Sequence, residues 1–332
     1  MRIIILCLFF IGNVFANTTL DEVKQRGFLK CGVNQGLPGF ATLDHQGHWG
    51  GFDVDFCQAI AAAILNDSTK VIYVPLSKKV HFSALKSKDV DVLAHNTTWT
   101  MHRDTALGLT FAGINFYDGQ GFLVPKSLGV NSIDALDGAT ICTGQGTTTE
   151  MNLSDYFIEK GLKYKPLYFD RNEFMFNAYE EGRCDAVTGD VSALASGRFF
   201  LKNADEHVIL PQVISKEPLA LMVRSEDDQW RKLVKWVLNV TINAESLGVN
   251  QANVDTFKDT PNSKIKRLLG TEKNFGQPLG LNADFGYQVI KQVGNYADIY
   301  DRNLGPESKI NLPRGLNALW SRGGIMYAPP IR

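Results

Sequence analysis

The sequence predicts an α/β protein of two lobes, each a sheet flanked by helices, with a helix-rich extension at the C-terminal end. Strand and helix patterns alternate from about residue 28 onward, and this rhythm is typical of a parallel sheet covered by helices. The rhythm breaks at INFYDGQGF and restarts with a new strand at Gly121. With 332 residues and 44% hydrophobic content, the chain suits two ordinary domains with their own cores.

The first part of the chain predicts the elements of one lobe. A short helix ends at Gly27, a strand follows over 28–33, and LDHQGHWGGF is a turn. In the next helix Phe56 and Ile60 share an apolar face, and aspartates near its start suit the positive end of the helix dipole. A strand (KVIYVPL), a helix (VHFSALKSK) and a strand over 90–94 complete the pattern.

After the break, the sequence predicts a second lobe and then a helical tail. ATICTG, YKPLYFD and CDAVTG predict strands, and TTTEMNLSDYFIEKG, RNEFMFNAYEEG and SALASGRFFLK predict helices. EPLALMVRS is a strand that returns to the first lobe. In the tail, DQWRKLVKWVLNVTINAESLG and DFGYQVIKQVGNYADIYDRNLG are helical stretches whose apolar stripes we expect to pack on the first lobe.

These patterns define the domain organisation that we expect. Two crossings between the lobes fall near 116–121 and 211–217, so the second lobe is an insertion into the first. The predicted division is a first lobe at 17–118 and 214–332 and a second lobe at 119–213.

Residues 1–16, MRIIILCLFFIGNVFA, predict a cleavable signal peptide. Arg2 precedes an apolar run that ends in Val14-Phe15-Ala16, a small-x-small-like cleavage site. The run is shorter than the roughly 18–20 residues of a membrane span. Leu6 precedes Cys7, where lipid attachment requires a small residue. We therefore expect an exported protein of the periplasm, neither a lipoprotein nor a membrane-anchored one.

Charge and cysteine content narrow the classes of partner. Without Arg2 the mature chain has 33 basic and 35 acidic residues, a net charge of −2. This balance, without a basic block, argues against nucleic acid and anionic membranes as partners. The mature chain keeps four cysteines: Cys31, Cys57, Cys142 and Cys184. In an exported protein this even number predicts disulfides, and three pairings are possible. No ligand spacing typical of zinc occurs, and we expect neither a metal nor a cofactor.

Polar clusters follow several of the predicted strands. In open α/β sheets, ligands bind outside the carboxyl ends of the strands. Asn34 follows the first strand, TGQGTTTE follows the strand at 139–143, and Asp190 follows the strand at 184–188. The strand at 90–94 is followed by a longer cluster: Asn96, Thr97, Thr98 and Arg103. Two facing lobes would bring these clusters to one cleft.

The residue types in these clusters suit an α-amino acid. The guanidinium of Arg103 matches a carboxylate, and Thr98 adds a neutral donor. Thr147 and Glu150 fit a capping box, so a helix begins there and its N–H groups attract anions. Asp190 supplies the opposite charge for an ammonium group.

Three alternative interpretations stay open at this point. Arg103 can be a surface or salt-bridged residue, and Asp190 can be a cap for the helix that follows it. The Gly144-Gln145-Gly146 loop can cradle a phosphate, although the Gly-Lys-Ser/Thr ending of a P-loop is missing.

The motifs taken together resemble a known family. GFDVDFCQAIAAAI, NTTWTMHRD, GTTTEMNLSDYF and GRCDAVTGD resemble the periplasmic polar amino acid-binding proteins of ABC transporters, solute-binding protein family 3. CGVNQGLPGF and NFYDGQGF resemble the general L-amino acid-binding subgroup. The resemblance runs from about residue 20 to the C-terminus. It implies the two-lobed periplasmic-binding-protein fold, with two hinge crossings, in a monomeric receptor that delivers a free L-amino acid to an inner-membrane permease.

The resemblance also implies roles for individual residues. Arg103 and the Thr98 hydroxyl bind the α-carboxylate, Asp190 binds the α-amino group, and Thr148 donates its backbone N–H. The remaining residues implied at the ligand site are Asn34, Asn96, Thr147 and His81. The disulfide pairing that it implies is Cys31–Cys57 in one lobe and Cys142–Cys184 in the other.

The sequence departs from the family pattern at three positions. Leu37 stands near the place where many relatives have an aromatic ring that stacks on the ligand. His81 and His95 stand where the subgroup tends to have arginine, so recognition of the ligand side chain is expected to differ. His81 begins a helix that can face the cleft, and a surface histidine is the alternative.

Two other functions are compatible with the same scaffold. Periplasmic cyclohexadienyl dehydratases resemble these receptors, but such an enzyme needs a cleft acid, and the nearby candidates are Glu150 and Glu173. Glu150 also suits a helix cap, and Glu173 also suits the solvated face of a helix. A sensor domain that feeds a kinase is the second alternative, although such domains are usually fused to a membrane span and a signalling region. We therefore expect a transport receptor and not an enzyme.

Overall fold

The computed structural model describes residues 18–332 and has two five-stranded sheets flanked by helices. This mixed α/β architecture confirms the predicted fold class. The predicted signal peptide at 1–16 lies outside the described residues. Within the described part of the chain, every helix is too short or too polar to span a membrane.

The strands and helices have the following bounds. The strands are β1 (Leu29–Asn34), β2 (Thr42–Leu43), β3 (Trp49–Gly50), β4 (Val71–Leu76), β5 (Val92–Leu93), β6 (Leu109–Asp118), β7 (Gln120–Pro125), β8 (Thr140–Gly144), β9 (Lys165–Phe169), β10 (Ala186–Asp190), β11 (His207–Ile209) and β12 (Glu217–Arg224). The helices are α1 (Thr19–Arg26), α2 (Phe52–Leu65), α3 (His81–Lys86), α4 (Met101–Ala106), α5 (Thr148–Lys160), α6 (Asn172–Glu180), α7 (Val191–Gly197), α8 (Asp228–Ser246), α9 (Ser263–Leu269), α10 (Phe285–Gln292) and α11 (Tyr296–Asn303).

The first sheet has the strand order β4-β1-β5-β12-β6, and we call the part built on it the first lobe. β1 pairs in parallel with β4 and β5, because the chain crosses over through α2 and α3 between these strands. β12 pairs antiparallel with β5 and β6. The predicted parallel pairing of the first three strands is therefore confirmed, and the returning strand β12 makes the complete sheet a mixed one.

The second sheet has the order β11-β7-β10-β8-β9, and we call the part built on it the second lobe. β8 is parallel to β9 and β10, whereas β7 is antiparallel to β10 and β11. The carboxyl ends of β8 and β10 are Gly144 and Asp190, so the polar loops after them begin on the same edge of the sheet.

Two extended segments connect the lobes side by side. β6 leads into β7 through Gly119 alone, and the returning chain enters β12 at Glu217, which pairs with Asp118. A Cβ at residue 119 would collide with Val213 and with the carbonyl of Ser215. Glycine is required there because the two connections lie in direct contact.

The helical tail packs on the first lobe. Trp230 and the aliphatic stripe of α8 are buried, and the core that holds them also contains β1 and α2. From α11, Tyr296 and Tyr300 contact Phe52 with ring centroids 5.9 and 6.3 Å apart. The second predicted tail helix is in fact two helices, α10 and α11, because Gly294 adopts a φ of 103° between them.

Each lobe contains one disulfide. Cys31 of β1 is bonded to Cys57 of α2, with their Cα atoms 6.1 Å apart. Cys142 of β8 is bonded to Cys184, which lies just before β10, with a Cα separation of 5.7 Å. This is the pairing that the resemblance implied, and each bond joins a strand to a neighbouring element of its own lobe.

Candidate functional site

A cavity of about 80 Å³ lies between the two lobes. On this scale roughly 10–15 Å³ holds one water, so the cavity has room for a few water molecules or a small polar ligand. The eight ligand-site residues identified from the sequence all line it: Asn34, His81, Asn96, Thr98, Arg103, Thr147, Thr148 and Asp190. They meet because the carboxyl ends of β1, β5, β8 and β10 open into the same cleft.

Arg103 lies on α4, whose N-cap Thr100 accepts a hydrogen bond from the Arg103 backbone N–H. Its Nη1 donates to the Thr98 carbonyl at 2.9 Å, and its guanidinium lies 5.4 Å from the ring centroid of Phe82. Within residues 18–332 it forms no ion pair, so most of its five N–H donors lack a protein partner. The alternative of a salt-bridged surface arginine does not fit this environment.

Thr98 and Thr148 face each other across the cleft, with their hydroxyl oxygens 3.4 Å apart. Both donate to Oε2 of Glu217, at 2.5 and 3.0 Å. Asn152 of α5 and Ser215 donate to Oε1 of the same carboxylate, each at 2.7 Å. Glu217 therefore joins groups from both lobes at the crossing strand, a role that no sequence pattern indicated.

Asp190 ends β10 and precedes α7, but its side chain makes no capping hydrogen bond. The helix-cap alternative is therefore wrong. Burial raises the pKa of the Asp190 carboxyl well above its usual value, and the nearby Asp118 and Glu217 carboxylates raise it further, whereas Lys78 and Arg103 oppose this. Burial also raises the pKa of Asp118, to about 6. A cation placed beside Asp190 would stabilise its ionised form.

Thr147 and Asn96 have the backbone geometry that their positions require. Thr147 is the N-cap of α5, and its hydroxyl accepts from the Glu150 N–H at 3.4 Å. The Glu150 side chain accepts from the N–H of Gly146 at 2.7 Å, and not from the N-cap as a full capping box requires. Asn96 has a left-handed φ of 49°, which asparagine adopts more readily than most residues.

His81 and His95 are buried and stacked in the cavity wall, with ring centroids 4.7 Å apart. His95 Nε2 lies 2.8 Å from the Leu76 carbonyl and so carries the proton. Burial, together with the nearby His95 and Arg103, lowers the pKa of His81 to about 3. Burial also lowers the pKa of His95. Both rings are therefore neutral at physiological pH.

Several cavity-lining residues were not identified from the sequence. Lys78 follows the carboxyl end of β4, so the rule that identified Asn34 would also have found it. The apolar part of the wall includes Leu37, one of the three positions at which the sequence departs from the family pattern. Its other members carry the apolar spacing of ordinary core residues, and no sequence signal distinguishes them: Met175, Phe176, Ala193 and Leu194.

The two glutamates considered as candidate acids for an enzyme lie outside this cavity. Glu150 is held at the start of α5, and Glu173 is an exposed residue of α6 beside Arg171. Neither residue lines the cavity. Within the described residues, His, Cys, Asp and Glu side chains form no group that suits a metal ion.

The fold and the cleft define a two-lobed solute-binding protein, with opposite charges on the two sides of one cavity. The chain belongs to the bacterial extracellular solute-binding proteins, family 3, which it matches over residues 29–251. It is 54% identical to the general L-amino acid-binding periplasmic protein AapJ of Rhizobium johnstonii, over 95% of this chain and 93% of that protein.

Two further proteins extend this similarity. The glutamate/glutamine/aspartate/asparagine-binding protein BztA of Rhodobacter capsulatus is 49% identical over 97% of this chain and 96% of its own length. A solved structure of an ABC transporter periplasmic binding protein from Brucella ovis, with glutathione bound, is 51% identical and has a TM-score of 0.94. The similarity covers 95% of this chain and all of that one. These relatives are named as binding proteins, so the chain groups with transport receptors and not with enzymes.

Proposed function

We propose that this protein is a periplasmic receptor that closes on a free L-amino acid and delivers it to the inner-membrane permease of an ABC transporter. One observation carries the proposal. Arg103 of the first lobe and Asp190 of the second lobe line the same cavity. A zwitterion is the ligand that satisfies both groups at once, and the names of AapJ and BztA agree with this ligand class.

The anchors act on opposite poles of the ligand. The Arg103 guanidinium binds the α-carboxylate as a planar fork, supported by the Thr98 hydroxyl and by the N–H of Thr148 at the start of α5. Asp190 binds the α-ammonium group. Asn34, Asn96, Thr147 and His81 complete the polar lining around the ligand.

The lobes move as two bodies around the paired connections. We assign residues 17–118 and 214–332 to the first body and 119–213 to the second, with Gly119 and the segment before Glu217 as hinges. Closure removes water from the anchors and strengthens both ion pairs. The receptor acts as a monomer, because one chain supplies both sides of the cleft.

A γ-glutamyl peptide is a second candidate ligand. Glutathione, which is bound in the Brucella ovis protein, carries the same free α-amino and α-carboxylate groups on its γ-glutamyl residue. A smaller cavity adjoins the first one and shares Asn34, Lys78 and Asn172 with it. The rest of a peptide ligand would extend through this shared wall.

A thermal-shift screen of the purified receptor with each of the twenty amino acids and with glutathione tests the proposal. A ligand at 100 times its dissociation constant stabilises the folded state by about 2.7 kcal/mol, which is a measurable shift. We expect shifts from several L-amino acids and none from their D-enantiomers. If no amino acid and no γ-glutamyl peptide shifts the melting temperature, the proposed function is wrong.

A further inference from the structure

Lys78 reaches from the first lobe across the cleft. It lies between β4 and α3, and its Nζ donates to Oδ1 of Asn172 on α6 of the second lobe, at 3.3 Å. A Cβ built on Gly144, at the end of β8, would lie 2.8 Å from the same Nζ. The ammonium group therefore lies against the backbone of the opposite lobe, and both cavities include Lys78 in their walls.

The charge of Lys78 is not neutralised by a direct partner. In the part of the chain that the structure describes, it forms no ion pair, whereas its neighbour Lys79 pairs with Asp170 at 3.7 Å on the surface. Burial lowers the pKa of Lys78, and the more distant Asp190 opposes this. A half-buried cation whose only hydrogen bond within the described chain is to a neutral amide oxygen is costly. An anion brought into the cavity would offset that cost.

The charge balance of the cavity indicates which part of a ligand would supply this anion. Three cavity-lining side chains of the described chain carry full charge when ionised: Lys78, Arg103 and Asp190. The proposed function pairs Arg103 with the α-carboxylate and Asp190 with the α-ammonium group. The positive charge of Lys78 then has no counterpart on the common part of the ligand. Since His81 and His95 are neutral, Lys78 is the cation available to the side chain of the ligand.

We propose that Lys78 is a specificity-determining residue that selects ligands whose side chain ends in a carboxylate or, more weakly, in a carbonyl oxygen. L-Glutamate and L-aspartate are then preferred, followed by their amides and by γ-glutamyl compounds, whose γ-carbonyl accepts from the same ammonium. This inference rests on the proposed function, because it requires that Arg103 and Asp190 hold the common part of the ligand.

Calorimetric titrations of the wild-type receptor and of Lys78→Met with L-glutamate, L-glutamine and L-norvaline test the proposal. L-Norvaline has the carbon chain of glutamate without the side-chain carboxylate. We expect Lys78→Met to bind glutamate at least about 30-fold more weakly, glutamine several-fold more weakly, and norvaline equally well or better. Lys78→Arg should keep most of the preference for glutamate. Lys232→Met, which removes only an exposed ion pair with Asp228 on α8, should leave all three affinities unchanged.

The possible outcomes separate this inference from the function on which it rests. Equal weakening of all three ligands in Lys78→Met, reproduced in Asn172→Ala, would mean that the lysine only holds the lobes together and would overturn the inference. Wild-type receptor that binds norvaline as tightly as glutamate would also overturn it while leaving the receptor function intact. Wild-type receptor that binds none of the three would overturn both. A melting temperature of Lys78→Met at or above that of wild type shows that the variant is folded.

Discussion

The two walls of the cleft differ in the groups that they present. The wall of the first lobe carries the cations Lys78 and Arg103 and two neutral histidines. The wall of the second lobe carries Asp190 and the threonines that begin α5. Neither wall alone has both charges that a zwitterion requires. Under the proposed function, the site is therefore complete only when the lobes meet, and closure and recognition are the same event.

The largest effect is expected from removing either anchor, since each wall contributes one. Arg103→Ala or Asp190→Ala should abolish measurable binding of every amino acid ligand, because the remaining pole of the ligand is buried without a partner. Isothermal titration calorimetry measures this. Arg231→Ala removes a partly exposed arginine that pairs with Asp228 on α8, away from the cleft, and should bind like wild type. Micromolar affinity in either anchor variant would contradict the assignment.

The disulfides allow the stabilities of the two lobes to be compared. Chain-entropy estimates for sequence separations of 26 and 42 residues give about 3.5 and 4 kcal/mol for the two bonds. The aromatic-rich core of the first lobe continues into the helical tail, whereas the buried clusters of the second lobe are smaller. The two disulfides contribute similar free energies, but the second lobe has the smaller core. We therefore expect the second lobe to be destabilised more by losing its disulfide than the first lobe is by losing its own.

Scanning calorimetry of the paired serine variants measures this difference. Cys142→Ser with Cys184→Ser should produce a separate unfolding transition of the second lobe at lower temperature. Cys31→Ser with Cys57→Ser should lower the unfolding temperature of the first lobe by less, because the tail helices still stabilise its core. Identical scans for the two pairs would show that the lobes unfold as one cooperative unit.

Asp53 makes the stability of the first lobe depend on pH. It is 2% exposed on α2, and burial raises its pKa to about 7, although hydrogen bonds from Asn115 and Asn96 oppose this. A carboxyl whose pKa is higher in the folded state binds protons preferentially in that state, so this contribution is lost as pH rises through about 7. Between pH 5 and 8 the free energy of unfolding should fall by roughly 3 kcal/mol on account of this group.

The Asp53→Asn variant isolates this contribution. Urea denaturation at pH 5 and pH 8 should give a smaller decrease for the variant than for wild type, with the variant the more stable protein at pH 8. An equal decrease in both proteins would show that Asp53 is ionised in the folded state throughout this range.

The smallest effect is expected at Glu217, which touches both walls without facing the ligand. Glu217→Gln keeps the shape but replaces one acceptor oxygen by a donor. The two bonds to that oxygen, either from Thr98 and Thr148 or from Asn152 and Ser215, then lose their acceptor. Ligand affinity should fall about 10-fold, because closure is then less favourable. Titration calorimetry gives the affinity, and small-angle scattering with saturating ligand shows whether the lobes still close. Unchanged affinity would mean that Glu217 only stabilises the fold.

The site was largely predictable because its residues follow the carboxyl ends of strands, and strand ends can be located from local patterns. Asn34, Thr98, Thr148 and Asp190 were identified in this way. Glu217 was not, because it begins an apolar crossing strand and nothing local indicates that its carboxylate bonds groups of both lobes. The strand β6 and the helices α4 and α9 were also missed, and the turn at LDHQGHWGGF contains the short hairpin β2–β3.

The sequence by itself determined the alternation of strands and helices, the charge types available for a ligand and the four cysteines that an exported protein can pair. These features depend on neighbours within a few residues or on composition. The tertiary structure decided which distant groups meet. Thr98 bonds to Glu217 across 119 positions, and Lys78 reaches Asn172 across 94. Such contacts arise because β6 and β12 run side by side and set the angle at which the two lobes face each other, a geometry that no local pattern contains.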